Sequence, residues 1–246
     1  MYAGLKVAVV MPAHNEAKFI KRAINSVPMF VDRIFLVDDG SDDGTGEIAS
    51  DLASTKLQIL EHSTNLGVGA AIATGYKAAI DYGADVACVM AGDAQMDPRD
   101  MPALLDALAE GAGYAKGNRF LWPGPERQPL SRYLGGMAIS YVNRVVTGCK
   151  EIFDSQCGYT AISRSALKLL ELDQLWPRFG YPNDLIARLH EAGVAIVDVP
   201  VRPVYDGQGS HMTPWVALRD ISAVLARCGI RRITNRQVQV RCDFSS

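Results

Sequence analysis

The chain has 246 residues, 48% of them apolar and 21% charged, with a formal net charge of -2. That length and apolar share suit one large α/β domain with a filled core, and the near-neutral charge excludes a general nucleic-acid footprint. Cys88, Cys149, Cys157, Cys228 and Cys242 are scattered without a CxxC pair, which removes the usual zinc-motif and disulfide-framework readings and points to a reducing compartment.

The first half alternates strands and helices. Leu5 to Met11 reads as a buried parallel strand that Pro12 ends. Glu16 to Phe30 follows as a helix with Ile20, Ile24 and Val27 on one face. Arg33 to Val37 is the second strand, and the acidic loop DDGSDDGT runs from Asp38 to Thr45, where Thr45 can cap a helix over Gly46 to Ala53. Leu57 to Leu60 is a short third strand. Asn65, Gly67 and Gly69 make a turn before the helix Ala70 to Tyr82, and Val86 to Met90 is the fourth strand. Pro98 closes the loop after it, and Asp100 to Glu110 is the next helix. Strand–helix alternation with short links implies parallel pairing, helices on both faces and ligand loops gathered on one edge.

In the second half, Gly113 to Arg119 reads as a strand and its exit, and Leu121 to Leu130, with three prolines, as a long exposed loop. Arg132 to Thr147 is a helix, Phe153 to Ile162 an edge strand, Ala166 to Leu172 a helix capped by Ser163, Tyr181 to Glu191 a helix, and Val194 to Val199 the final strand. The amphipathic stretch Trp215 to Cys228 and its basic continuation (Arg231, Arg232, Arg236, Arg241) either lie on an anionic membrane surface or pack on the domain and fray. The N-terminal segment runs straight into a patterned strand, which argues against a signal peptide. No segment offers about 18 uninterrupted apolar residues. The expectation is a cytoplasmic protein whose membrane contact is peripheral, on the inner face. Its domain division is residues 1–212 and a C-terminal helix with basic tail over 213–246.

Two apolar strands end in carboxylates, at Asp38 with Asp39 and at Asp93, where an α/β sheet holds a polar ligand or metal. With Pro12 to Glu16 (PAHNE), Asn65 to Gly69, Lys116 to Arg119 (KGNR), the pair Ser131–Arg132 and Asp154 to Gly158 (DSQCG), these segments occur in an order that resembles the inverting family 2 glycosyltransferases of GT-A fold. Within that family the chain is most similar to the polyprenyl-phosphate mannose or glucose synthase type. The resemblance covers about residues 5 to 210 and implies a UDP- or GDP-sugar donor with Mg²⁺ or Mn²⁺.

It further implies that Pro12, Ala13, Asn15, Glu16, Asp38, Asp39, Asn65 and Gly67 cradle the nucleoside, and that Gly92, Asp93 and Gln95 form the metal and diphosphate loop. The family usually carries Asp-Xaa-Asp there; this chain has Ala91, Gly92 and Asp93. One carboxylate therefore remains, and His211 in the later lid loop is a candidate compensating ligand. Arg119 and Arg202 would stabilise the leaving diphosphate. Arg127, Ser131 and Arg132 would hold the acceptor phosphate, and Asp154 would line the sugar pocket. Asp184 falls where the family places a catalytic or sugar-orienting acid, but its position at a helix start equally suits capping. The implied acceptor is a polyprenyl phosphate. A saccharide acceptor, or a non-catalytic nucleotide-sugar-binding protein, is the alternative. A nucleotidyltransferase is opposed by the first strand exit, PAHNE, which lacks the Gly-rich basic loop of that class.

Overall fold

The computed structural model describes residues 1–52, 54–125, 128–204 and 214–243, with side chains of the last stretch described for 219–234. In chain order the elements are β1 (Val7–Ala13), α1 (Ile20–Ser26), β2 (Arg33–Asp38), α2 (Thr45–Ser50), β3 (Leu57–Glu61), α3 (Val68–Tyr82), β4 (Val86–Val89) and α4 (Met101–Ala109). They continue with β5 (Tyr114–Asn118), α5 (Leu130–Thr147), β6 (Thr160–Ser163), α6 (Arg164–Leu167), α7 (Tyr181–Glu191), β7 (Ile196–Pro200) and α8 (Pro214–Asp243). The strands form one seven-stranded sheet in the order β3-β2-β1-β4-β6-β5-β7. All pairings are parallel except those of β6, which runs antiparallel to both β4 and β5.

Strand β1 is buried along its whole length, as a strand covered on both faces must be. Its side chains alternate between two cores. Val7, Val9 and Met11 join Leu36, Cys88 and Leu104 on one face; Ala8 and Val10 join Phe35, Ile72, Tyr76 and Val89 on the other. Parallel register places Ala13 opposite Asp38, and Asp38 opposite Glu61, so the three strand exits emerge side by side.

Several predicted elements differ from the structure. The helix expected over Ala166 to Leu172 is only the four residues Arg164–Leu167, and Thr45 is the first residue of α2 behind Gly44 and not its cap. The first helix begins at Ile20 and ends at Ser26, not over Glu16 to Phe30. At its start, Asn15 adopts a positive φ of 58°, and the N–H groups of Asn15 and Ala17 donate to Ser41 Oγ and Asp43 Oδ2. At its end, Val27 is extended because Pro28 disfavours a helical residue before it. The predicted edge strand at Phe153 to Ile162 is instead the short β6, placed centrally between β4 and β5. The C-terminal helix continues through the basic segment as far as Asp243. Its Ile221, Val224, Leu225 and Cys228 pack with Ala187 of α7 and with Ile139 and Val146 of α5. Arg232 donates to the carbonyls of Val145 and Val146, capping α5 at the negative end of its dipole. Among the described residues no helix is long and apolar enough to cross a membrane.

Helix α3 lies on β1 through Gly75, where an added Cβ would come 2.3 Å from Val10 Cγ1. Gly75→Ala is expected to cost about 1–3 kcal/mol by overpacking. The check is a lower urea midpoint at unchanged m-value.

Candidate active site

The loops after β1, β2 and β4 are tied together at the carboxyl edge. Asp39 N donates to Ala13 O at 2.8 Å and Gly92 N to Pro12 O at 3.0 Å. Asn15 Oδ1 accepts from Asp42 N at 3.0 Å, which joins the PAHNE turn to the acidic loop. Asp38 accepts from Ser41 N and lines a 390 Å³ cavity with Gly46, Glu61 and His62. Asp39 does not face that cavity. Its carboxylate accepts from Leu66 N (2.9 Å), Gly67 N (2.7 Å) and His62 Nδ1 (2.7 Å), so it anchors the loop before α3. Gly67 has a φ of +104°, and a Cβ there would meet Pro177 O at 2.5 Å; only glycine suits that backbone. Asn65 is exposed beside it.

A larger cleft of 630 Å³ opens next to this edge. Pro12, Ala91, Asp93, Gln95, Arg119, Ser131, Arg132 and Arg202 all line it, so residues expected to serve donor and acceptor converge on one space. Asp93 Oδ1 accepts from Gln95 N at 2.9 Å across Ala94, which holds a positive φ of 57°. A left-handed alanine is uncommon and costs about 1 kcal/mol or more. The tight turn it permits points Asp93 and Gln95 at the cleft.

The cationic wall is prearranged by carboxylates. Arg119 grips the fully buried Asp154 through Nε (2.8 Å) and Nη2 (3.0 Å), with its own N–H on the same carboxylate at 3.2 Å. Asp154 is thus the orienting partner of Arg119, and its oxygens are turned to the guanidinium and not to the cleft. Arg202 Nη1 bonds Asp97 Oδ2 at 3.0 Å, its N–H donates to Asp100 Oδ2 at 2.7 Å, and its guanidinium lies 4.7 Å from the Trp122 ring centre. Arg99 first, and then Arg202, hold the Asp97 carboxyl down to about 2. Sequence reading missed Asp97, Asp100 and Trp122. The acid-rich run Asp97 to Asp100 was visible, but its partner lies a hundred residues away.

Asp184 departs most from expectation. It is fully buried and absent from the cleft lining. One oxygen accepts from Trp176 N (3.0 Å) and Arg188 Nε (3.0 Å); the other pairs with Arg231 of α8 at 2.9 Å. It neither caps α7 nor faces a substrate: it joins α7 to α8. Arg127 and His211 lie outside the described residues.

The family model for "Glycosyl transferase family 2" matches residues 8–170. The chain belongs to glycosyltransferase family 2. Curated relatives include a UDP-N-acetylglucosamine–dolichyl-phosphate N-acetylglucosaminyltransferase of Methanococcus voltae, 29% identical over 81% of this chain and 86% of that protein. Another is the polyprenol monophosphomannose synthase of Mycolicibacterium smegmatis, 28% identical over 92% of this chain and 88% of that one. Among solved structures, glucosyl-3-phosphoglycerate synthase of Mycobacterium tuberculosis, in complex with Mn²⁺, UDP and glucosyl-3-phosphoglycerate, superposes with a TM-score of 0.65. It shares 24% identity, covering 92% of this chain and 81% of that one. That likeness shows the fold, a GT-A-type α/β architecture with a mixed, mostly parallel sheet.

In this family 2 glycosyltransferase the loop Asp93–Gln95 fits a divalent cation on the chemistry of its own residues. Asp93 and Gln95 present oxygen donors of the kind Mg²⁺ and Mn²⁺ prefer. Glu16, buried beside them, is pushed up to about 7 by desolvation first and then by the charges of Asp93 and Asp43. That crowding of negative charge is what a cation relieves.

Two outcomes are expected. Removing Asp184 leaves Arg188 and Arg231 facing a buried hole, so Asp184→Ala should cost about 3 kcal/mol of unfolding free energy. Glycosyl transfer per folded molecule should be unchanged; a large loss of turnover in well-folded protein would instead make Asp184 catalytic. For Glu16, a native carboxyl raised from 4.5 to about 7 keeps its proton where the unfolded chain has lost it. Its contribution to stability is complete below pH 4.5 and is lost as pH rises through about 7. Glu16→Gln should therefore flatten the fall in melting temperature across that window, measured without added metal.

Proposed function

We propose that this chain transfers a glycosyl group from a UDP- or GDP-sugar to a phosphate monoester, with inversion in one displacement. One observation carries the acceptor class. Among the described residues lining the cleft, Asp93 is the only carboxylate, and it belongs to the donor loop. A hydroxyl acceptor needs a base to take its proton; a phosphate is already an anion and needs only to be positioned. Arg132 and Ser131, at the start of α5, face the same cleft and suit that role.

On the donor side, Asp38, which lines the neighbouring cavity, would accept from the N–H edge of the base. Asp93 and Gln95 would hold the divalent ion, which when bound neutralises charge on the leaving diphosphate. Arg119 and Arg202, held by Asp154 and by Asp97, add fixed positive charge aimed at the same place. Their carboxylate partners set the geometry before substrate arrives, so little reorganisation accompanies the reaction.

The carrier of the phosphate has two candidate forms, each with its own support. A polyprenyl carrier is supported by the relatives' activities and by α5. That helix leaves the cleft with Leu130, Leu134, Met137, Tyr141 and Val145 exposed, an apolar track on which a lipid chain or a membrane surface can lie. A small phosphorylated acceptor is supported by the fold likeness to glucosyl-3-phosphoglycerate synthase.

Purified protein with Mn²⁺ should be offered UDP-Glc, UDP-GlcNAc and GDP-Man, each with a short prenyl phosphate, with phosphoglycerate and with a neutral oligosaccharide. Product is expected with a phosphate acceptor, with the sugar linked through a phosphate oxygen, and abolished by dephosphorylating it beforehand; linkage to a hydroxyl would overturn the phosphate reading. The lipid and water-soluble arms separate the two carriers. Elongation of the neutral oligosaccharide alone would overturn the phosphate reading.

A further inference from the structure

Outside the cleft, three different metal-binding side chains meet. Cys149 follows Gly148, the left-handed cap of α5; Glu151 lies two residues on; His190 is in the last turn of α7. One donor atom from each lies within 4.8 Å of the others. Cys149 Sγ is 3.3 Å from Glu151 Oε2, and Cys149 N–H donates to Thr147 Oγ1 at 3.2 Å, which fixes the thiol-bearing residue. None of the three lines the cleft.

Tetrahedral zinc with Cys, His and carboxylate ligands at its usual bond lengths spaces its donors roughly 3.5 Å apart. Glu151 and His190 are exposed at the surface, so their side chains can close the remaining distance by rotation without moving the core. We propose that Cys149, Glu151 and His190 form a zinc-class site with a water as fourth ligand, separate from the oxygen-donor site at Asp93. A thiolate and an imidazole select a borderline-soft ion such as Zn²⁺ over Mg²⁺ or Mn²⁺.

The binding step is a proton exchange. The Cys149 thiol gives its proton to solvent, the sulfur lone pair becomes the bond to Zn²⁺, and nothing is oxidised or reduced. Burial, and then Glu151, push the free thiol up to about 12, so the ion itself must drive this release. Glu151 is held below its ordinary range, first by a backbone hydrogen bond, with smaller help from the thiol and from His190.

The location suggests what occupancy does. The ion joins the end of α5 to the end of α7. The opposite ends of these helices supply Ser131 and Arg132, and Tyr181 and Pro182, to the cleft. A bound ion therefore staples the two helices that frame the acceptor side.

The full chain, freed of metal with a chelator, should be titrated with Co²⁺ and followed by the thiolate-to-metal charge-transfer band in the near ultraviolet. The band is expected to saturate at one equivalent, to be lost on adding Zn²⁺ but not Mg²⁺, and its growth to be accompanied by a rise in melting temperature. Cys149→Ser should abolish the band. His190→Ala, a surface change, should weaken Zn²⁺ binding by about tenfold or more, since even loss of an outer-shell partner costs that much. It keeps the test decisive if the serine variant folds poorly. Absence of the band in the unaltered chain, or the same band and affinity in His190→Ala, would overturn the site.

Discussion

Two backbone hydrogen bonds, from Asp39 N to Ala13 O and from Gly92 N to Pro12 O, hold the loops at the carboxyl edge of the sheet in mutual register. Everything the site does depends on them. They continue the parallel pairing of β1 with its neighbours by one step past the strand ends, where backbone groups would otherwise need water. The loops bearing Asp38, Asp39 and Asp93 are thereby fixed as extensions of a rigid sheet. Parallel strands make this possible because all their carboxyl ends face the same way.

Charge is organised in the same spirit, with two of the cleft's arginines each given a carboxylate that sets its direction. Asp154 orients Arg119, while Asp97 and Asp100 orient Arg202. Each of these acids is largely or fully buried, and each arginine keeps about a quarter of its side chain exposed to the cleft. A guanidinium has donors to spare, so satisfying one carboxylate leaves others for a phosphate. The opposite holds around the Asp93 loop. There the charges of Asp93 and Asp43 add to the burial that raises the Glu16 carboxyl. Asp93 lines the same cleft as Arg119 and Arg202, so charges of both signs border one space.

One side of the cleft rests on helices, and their bracing comes from far along the chain. Asp184 links α7 to α8 through Arg231, Arg232 caps α5, and an apolar seam of α8 closes against both. The C-terminal helix is in this way a brace for the two helices that frame the cleft. Its own exposed Ile230 and Ile233, with the apolar track of α5, leave a greasy outer surface on that side.

By itself the sequence determined the strand–helix alternation, the carboxyl-edge loops and the family. These are local: apolar runs of strand length, a turn residue, a carboxylate just past the strand. Pro12, Asp93, Arg119, Arg132 and Arg202 were legible as candidate site residues and line one cleft, while Asp38 lines the neighbouring cavity. Tertiary structure alone decided what each acid faces. Asp154 and Asp184 look like site carboxylates in one dimension, yet each is consumed by an arginine 35 or 47 residues away. The same applies to β6, whose central antiparallel position depends on partners far before it, and to α1, shortened by side chains of the next loop. Periodicity and motif spacing report on neighbours in the chain. Ion pairs and strand order are settled by which distant groups can desolvate one another most favourably, and that is known only once the chain has folded.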